Sequence, residues 1–337
     1  MATGRFANQK IQMGAEGTPG SAVPATTIYR GIGQIEDARD LRLVTERLGV
    51  CVPSNRVVVP GLLAKCTWAA TPATFHQLPY ILEAGISIET PTPDSGTGDI
   101  YAYAMGKAAV NTLRSYTIEG GDNVAVEEME YSFVEKFVLS GKYGDFMQMS
   151  ANWTGRQVTS SAFTGSLSVP TVEEINAMAG ALYIDAVSGT MGNTPITAGT
   201  LLEFNLDVTT GWKPRFCIDD GKTYFLEPSF DVDAFKAICN LTFRHTTAGA
   251  AERAKFAAET PAQIRLKFVG STLTTPGTYT YHTLQIDMTG IYTKAGTLEN
   301  DMGDSTTKLE FTIGYDETAD ISPLAFLVVV DDYAALP

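Results

Sequence analysis

Residues 130–158 read EYSFVEKFVLSGKYGDFMQMSANWTGRQV, two alternating runs around a glycine-bearing turn. Tyr131, Phe133, Phe137 and Leu139 share one parity of the first run, and Met147, Met149, Ala151 and Trp153 one parity of the second. Lys136, Gln148, Ser150 and Asn152 stand between them. Side chains of a strand leave on alternate faces, so period two predicts a long hairpin with one dry and one wet face. No residue pattern in it is catalytic. A hairpin of this length presents edges that must be paired or covered.

The same grammar recurs along the chain. LLEFNLDVT (201–209) sets Leu202, Phe204, Leu206 and Val208 against Glu203, Asn205 and Asp207. AICNLTFRH (237–245) and QIRLKFVG follow as strands. TYHTLQIDMTGIY (280–292) and TTKLEFTIGYDE (306–317) predict a second long hairpin, with Leu284, Ile286 and Met288 facing Leu309, Phe311 and Ile313. AFLVVVDD (325–332) is apolar enough for a sheet interior. Further strands are expected near 28–34, 61–69, 100–106 and 112–119. Thirty-one Gly and sixteen Pro favour turns over helix bundles. Short helices are expected at 72–84, capped by Thr71 with Pro72 first and Pro79 against it, and at 246–259, capped by Thr247 and stopped before Pro261. A third is signalled by the capping box of Thr171 and Glu174.

Both halves share an order: strand, long loop, strand, short helix, strands, long hairpin. Each long loop (35–60 and 210–235) holds one cysteine, Cys51 or Cys217, and the next strand another, Cys66 or Cys239. This order predicts a duplication. The expected organisation is an extended arm over 1–27, a first module over 28–158, a connecting segment over 159–200 and a second module over 201–337.

Chemistry is sparse. No zinc-protease, nucleophile-elbow, phosphate-loop or dinucleotide fingerprint occurs. GAEGTPG (14–20) has no helix after it to offer a phosphate. His245 and His282 sit at strand ends and read as surface or cap residues; His76 is the third histidine. Asp219 and Asp220 read as a turn rather than a carboxylate pair or calcium loop. Asp331 and Asp332 end a strand. Trp68, Trp153 and Trp212 read as core rather than a sugar platform. The cysteines lack CxxC spacing and His partners, so free thiols in a reducing cytoplasm are expected, and the sequons at Asn152 and Asn240 are coincidental. No apolar run is of signal-peptide or membrane-spanning length. With 24 basic and 38 acidic residues the formal charge is −14, opposite to a nucleic-acid footprint. Such a chain never meets nucleic acid or must avoid holding it. Ring closure between subunits would satisfy the strand edges.

In the order of its motifs the chain resembles the tail tube proteins of long-tailed, non-contractile bacteriophages, in the longer two-module group. The stretches that carry the likeness are QKIQMGAEGTPGSAVPATT, FHQLPYILEAGI, FVLSGKYGDFMQMSANWTGRQV, LLEFNLDVTTGWKPRF, IRLKFVGSTL and YHTLQIDMTGIYTKAGTLENDMGDSTTKLEFTIGYD, spanning about residues 8 to 330. The resemblance implies a mainly β fold with short helices: duplicated tail-tube sandwich or barrel modules whose rings close an intersubunit β-barrel. It implies a structural virion protein and no enzyme, with no catalytic, cofactor or metal residues. Three chains would make a ring of six modules, and rings would stack into a tube. The implied partners are other copies of itself, a tape-measure protein in the lumen, tail-terminator and distal-tail proteins at the ends, and DNA in transit without specific binding or membrane insertion. Assembly would occur in the bacterial cytoplasm. Glu203, Asp207, Asp287 and Glu310 are the candidate lumen-facing acids. Arg39, Asp40, Arg42, Glu46 and Arg47, in the segment least like the family, are the candidate inter-ring contacts. The alternatives are a tail-terminator or distal-tail protein of related fold, or a β-sandwich carbohydrate-binding or hydrolase domain.

Overall fold

The computed structural model describes residues 3–52, 54–218, 221–331 and 336. The first half contains β1 (Lys10–Ala15), β2 (Thr27–Tyr29), β3 (Gly33–Asp37), β4 (Asp40–Glu46), β5 (Ser54–Gly61) and β6 (Ala64–Pro72). These lead to α1 (Leu78–Gly85), β7 (Thr92–Pro93), β8 (Gly98–Ala104), β9 (Tyr116–Gly121), β10 (Val126–Lys142), β11 (Gln148–Gly155) and β12 (Val158–Ser161). The second half contains β13 (Gly180–Ala186), β14 (Leu201–Thr209), β15 (Trp212–Arg215), β16 (Glu227–Phe230) and β17 (Lys236–Arg244). It ends with α2 (Thr247–Ala257), β18 (Ala262–Thr272), β19 (Tyr281–Ala295), β20 (Glu299–Asp301), β21 (Asp304–Ile313) and β22 (Leu324–Asp331). The protein is mainly β, and no helix of the described residues is long and apolar enough to cross a membrane.

One long antiparallel sheet runs β3–β6–β11–β10–β14–β17–β21–β19. It uses only the second halves of β10 and β19. Their first halves belong to two smaller sheets behind it, β2–β1–β9–β10–β12 and β13–β18–β19–β22–β8–β7. Phe137 meets Phe326, Phe204 meets Phe268 and Trp153 meets Tyr116 across the layers, at ring-centroid distances of 5.9, 5.5 and 6.0 Å. Most of the dry face expected of the opening hairpin is this core, for Phe137, Leu139, Met147, Met149, Ala151 and Trp153 are buried in it. The register shift after Val134 leaves Phe133 on the opposite face, buried against Trp212 and Phe225, with Tyr131 half-buried beside it. Each such aliphatic or aromatic side chain contributes roughly 1.5–3 kcal/mol by leaving water. Traced through their ladders, the strands branch without returning to their start. Among the described residues no barrel closes within the chain, and free edges remain.

The change of sheet within β10 has a local cause. Tyr131 adopts φ +53°, rare for a non-glycine residue, and its N–H donates to the Glu16 carboxylate at 2.7 Å. In β19 the corresponding bend falls near Gly290, φ +158°, where a Cβ would lie 2.0 Å from the Thr312 carbonyl oxygen.

Several expectations differ from the structure. The described residues of the segment 1–27 do not form an extended arm: β1 pairs with both β2 and β9, and Ile11, Gln12 and Met13 are buried. Both faces of β1 are covered, so it carries no alternation to read. The segments 35–60 and 210–235 are not open loops but contain the two-stranded hairpins β4–β5 and β15–β16. The first helix starts at Leu78 rather than 72, with Pro79 in its first turn, where the missing N–H costs nothing. The second is capped by Thr246, whose Oγ1 accepts from Gly249 N, not by Thr247. No helix forms at Thr171–Glu174. The backbone there pairs instead: Phe75 N donates to Glu173 O and Ile175 N to Ala73 O. The connecting segment 159–200 contains β13, a full partner of β18. Leu284, Ile286 and Met288 are buried but do not oppose Leu309–Ile313; they pair with β18 and β22, while residues 290–295 oppose β21.

Candidate assembly interface

The repeated element order extends to the ladders. β3–β6–β11–β10–β9–β1 is matched by β14–β17–β21–β19–β18–β13, and β12 on β10 is matched by β22 on β19. Both long strands carry a register shift, between Val134 and Lys136 and between Tyr292 and Lys294. Aligning the shifts sets Lys294 where Lys136 stands. Following the ladders outward then sets Cys239 on Cys66 and Asp207 on Glu36. Both cysteines are fully buried, and burial pushes each thiol up to about 12, so they are inert core groups.

The two units meet in two ladders, β8–β22 behind and β10–β14 in the long sheet. The second runs from Lys136 opposite Thr209 to Lys142 opposite Glu203, and Lys136 Nζ lies 2.7 Å from Asp207 Oδ2. In the long sheet each unit keeps one unmatched edge. Among the described residues β3 pairs only with β6, and β19 beyond Gly290 pairs only with β21. These are the edges whose counterparts, β14 and β10, join inside the chain. A cleft of about 300 Å³ opens beside β3, lined by Gln9, Gly33–Ile35 and Gly120–Asp122. At the matching place beside β14 the walls include Gly141 and Lys142, the last residues of β10, and Tyr143 after them.

Three of the four candidate lumen acids share the wet face of the long sheet. Glu203 stands opposite Lys142, Asp207 is bonded to Lys136, and Glu310 is 3.0 Å from Lys294 Nζ. Asp287 lies elsewhere, on the first half of β19, in a two-pronged ion pair with Arg265 at 2.6 and 2.7 Å. The wet face also presents Lys65, Lys236 and Lys308, so ammonium groups there outnumber carboxylates. Arg39, Asp40, Arg42 and Glu46 lie on or beside the β4–β5 hairpin and Arg47 just after β4. Arg39 pairs with Asp37, holding that carboxyl below its usual range; Arg42 pairs with Asp40 and Arg56 with Glu46, both at 2.8 Å.

Two constellations escaped the sequence reading. Arg156 is 8% exposed and donates to three backbone carbonyls, those of Phe225 (3.2 Å), Leu226 (2.7 Å) and Gly20 (3.3 Å). Its guanidinium lies over the rings of Tyr131 (4.4 Å) and Tyr224 (4.9 Å). Glu16 accepts from Gly20 N, Ser115 Oγ, Thr117 Oγ1 and Tyr131 N. The available signal was the Gly-x-Glu-x-Thr-Pro-Gly and Gly-Arg-Gln-Val stretches, whose charges had no strand face to occupy. The second constellation corrects the reading of His282, while His245 is exposed as expected. His282 is buried, its Nδ1 2.7 Å from Glu173 Oε2 and its ring 5.6 Å from that of His76. Asp331 does more than end a strand: it accepts from Thr274 N and Oγ1 and from Thr97 Oγ1. Burial alone would raise its pKa; these hydrogen bonds win and hold it low. Trp68, Trp153 and Trp212 are core residues, and Tyr29 stacks on Trp68 at 3.8 Å. Asp219, Asp220 and Asp332 lie outside the described residues.

No family model matches this chain, and no curated protein matches it.

Proposed function

We propose that this chain is a self-assembling structural subunit, and that its assembly is the tail tube of a long-tailed bacteriophage. The observation that carries the reading is the pair of unmatched edges. A head-to-tail contact in which β3 of one copy adds to β19 of the next repeats the β10–β14 junction already present inside the chain. Contacts of this heterologous kind generate closed rings when the rotation closes. The equivalences give the register: Lys294 opposite Ala38, Gly296 opposite Glu36 and Leu298 opposite Gln34. Lys294 then reaches Glu36 as Lys136 reaches Asp207. The tube identity, the three-fold ring, the tape-measure and end partners, and passage of DNA come from the resemblance.

In such a ring the wet face of the long sheet lines the channel. Lys136 with Asp207 and Lys294 with Glu310 or Glu36 offset much of that lining's charge and leave a small excess of ammonium groups, with amides and hydroxyls between. Passage of DNA there would not rest on an excess of acid that repels its phosphates.

The test is negative-stain electron microscopy of the concentrated protein beside Lys294→Glu and the double variant Lys294→Glu with Glu36→Lys. Rings with paired lobes, stacking into tubes, are expected for the parent. Ring formation is expected to fall in the single variant and to recover in the double one. A parent that stays monomeric beside purified tube ends would overturn the proposal. Rings that never stack would favour the tail-terminator or distal-tail reading.

A further inference from the structure

The β4–β5 hairpin is a two-stranded sheet standing apart from the core, and such hairpins are marginal in water on their own. Three of its apolar side chains are bare: Leu41, Leu43 and Val57 are 61, 66 and 57% exposed. Its counterpart in the second unit, β15–β16, is not bare. That hairpin folds over the first unit, where Trp212 is 8% exposed and Phe225 fully buried against Phe133 and Tyr131. Arg156 of the first unit, at the end of β11, clamps it by its Phe225 and Leu226 carbonyls.

We infer that the β4–β5 hairpin docks on the second unit of a neighbouring copy in the same ring, in the place that β15–β16 takes on the first unit. This rests on the head-to-tail reading above. The aligned register sets Gly314 and Tyr315 where Arg156 and Gln157 stand, and Ile291 where Phe133 stands. Tyr315 and Ile321 there are exposed apolar groups, and Tyr315 is held in place by a 2.6 Å hydrogen bond to Asp320. The charges are complementary. Arg39, Arg42, Arg47 and Arg56 outnumber their neighbours Asp37, Asp40 and Glu46 by one, three of them being paired with those acids, while the facing loop carries Asp316, Glu317 and Asp320, the last already paired with Lys107. The absent Arg156 clamp is thus replaced by arginines supplied from the hairpin side. The candidate inter-ring residues become lateral contacts within one ring.

The test uses two disulfide pairs in a Cys51→Ser, Cys217→Ser background. Each pair is split between two populations of chain, so that a linked dimer can only form between copies. The edge pair is Gln34→Cys with Leu298→Cys. The hairpin pair is Leu43→Cys with Tyr315→Cys. After mixing and mild oxidation, both pairs should give a linked dimer that the single-cysteine populations lack. An edge link without a hairpin link overturns this inference and leaves the ring reading standing. A hairpin link without an edge link supports the docking and overturns the proposed edge register. Neither link overturns both. A Leu43→Asp chain should lose ring formation; rings that persist but no longer stack would return the hairpin to an inter-ring role and overturn the inference.

Discussion

Replacing Arg156 by lysine tests how firmly the second unit's hairpin is fixed to the first. The charge is kept, but an ammonium replaces a planar fork. Arg156 makes three hydrogen bonds to carbonyls and lies over two tyrosine rings. Lysine can reach one carbonyl at most. Losing two charge-assisted bonds, at roughly 1.5 kcal/mol each at the low end of their range, costs about 3 kcal/mol. The weakened ring contact adds a few tenths to 1 kcal/mol. Unfolding entropy of about 2 cal/mol/K per residue over 337 residues is roughly 0.7 kcal/mol/K, so the melting temperature should fall by about 4–6 °C. Thermal melting by circular dichroism measures this. Limited proteolysis adds a local readout, because a loosened β15–β16 hairpin should be cut within 216–226 before the rest unfolds. A variant melting within 1–2 °C of the parent and cut no faster would refute the assignment of Arg156 as the clamp.

Acid should weaken the fold through His76. Burial, helped by the His282 ring, lowers His76 from 6.5 to about 4. The unfolded chain therefore takes up this proton at higher pH than the folded one, and stability present above pH 6.5 is lost as the pH falls towards 4. Discounted for the solvent that reaches the ring, the loss is about 2 kcal/mol. Urea midpoints for the parent and His76→Gln at pH 7 and 4.5 check it; identical pH dependence in the two proteins would count against it. At the N-terminus, Met13→Ala should cost about 2–4 kcal/mol by opening a cavity between β2 and β9. A Met13→Ala chain with the parent's urea midpoint would show that β1 is not part of the core.

The sequence disclosed strands where one face is wet and the other dry. β10, β11, β14 and β17 alternate, and most of the core residues expected on them are buried, with Tyr131 and Leu202 only half-buried. It was silent where that asymmetry is missing. β1 is covered on both faces, and β4–β5 is bare on much of its surface, so neither carries a period-two signal. The capping box at Thr171 failed because strand-like pairing with residues 73–75 satisfied the same backbone groups more fully. The matched cysteines hinted at the duplication, but the correspondence of Lys136 with Lys294 needed the two register shifts, which are properties of pairing and leave no mark in one strand alone. Arg156 and Glu16 were visible as residues and opaque as partners, since the segments they join lie far apart along the chain.

The passage of β10 and β19 through both layers has a mechanical consequence. In a sandwich whose sheets share no strand, the layers are held by side-chain packing and can slip past each other under shear. Here two continuous backbones, 17 and 15 residues long, cross from front to back like stitches. Sliding one layer along the other would require stretching covalent chain or stripping a whole ladder of hydrogen bonds at once. A force applied to the long sheet is therefore passed directly to the sheets behind it, and each unit resists bending as a single beam.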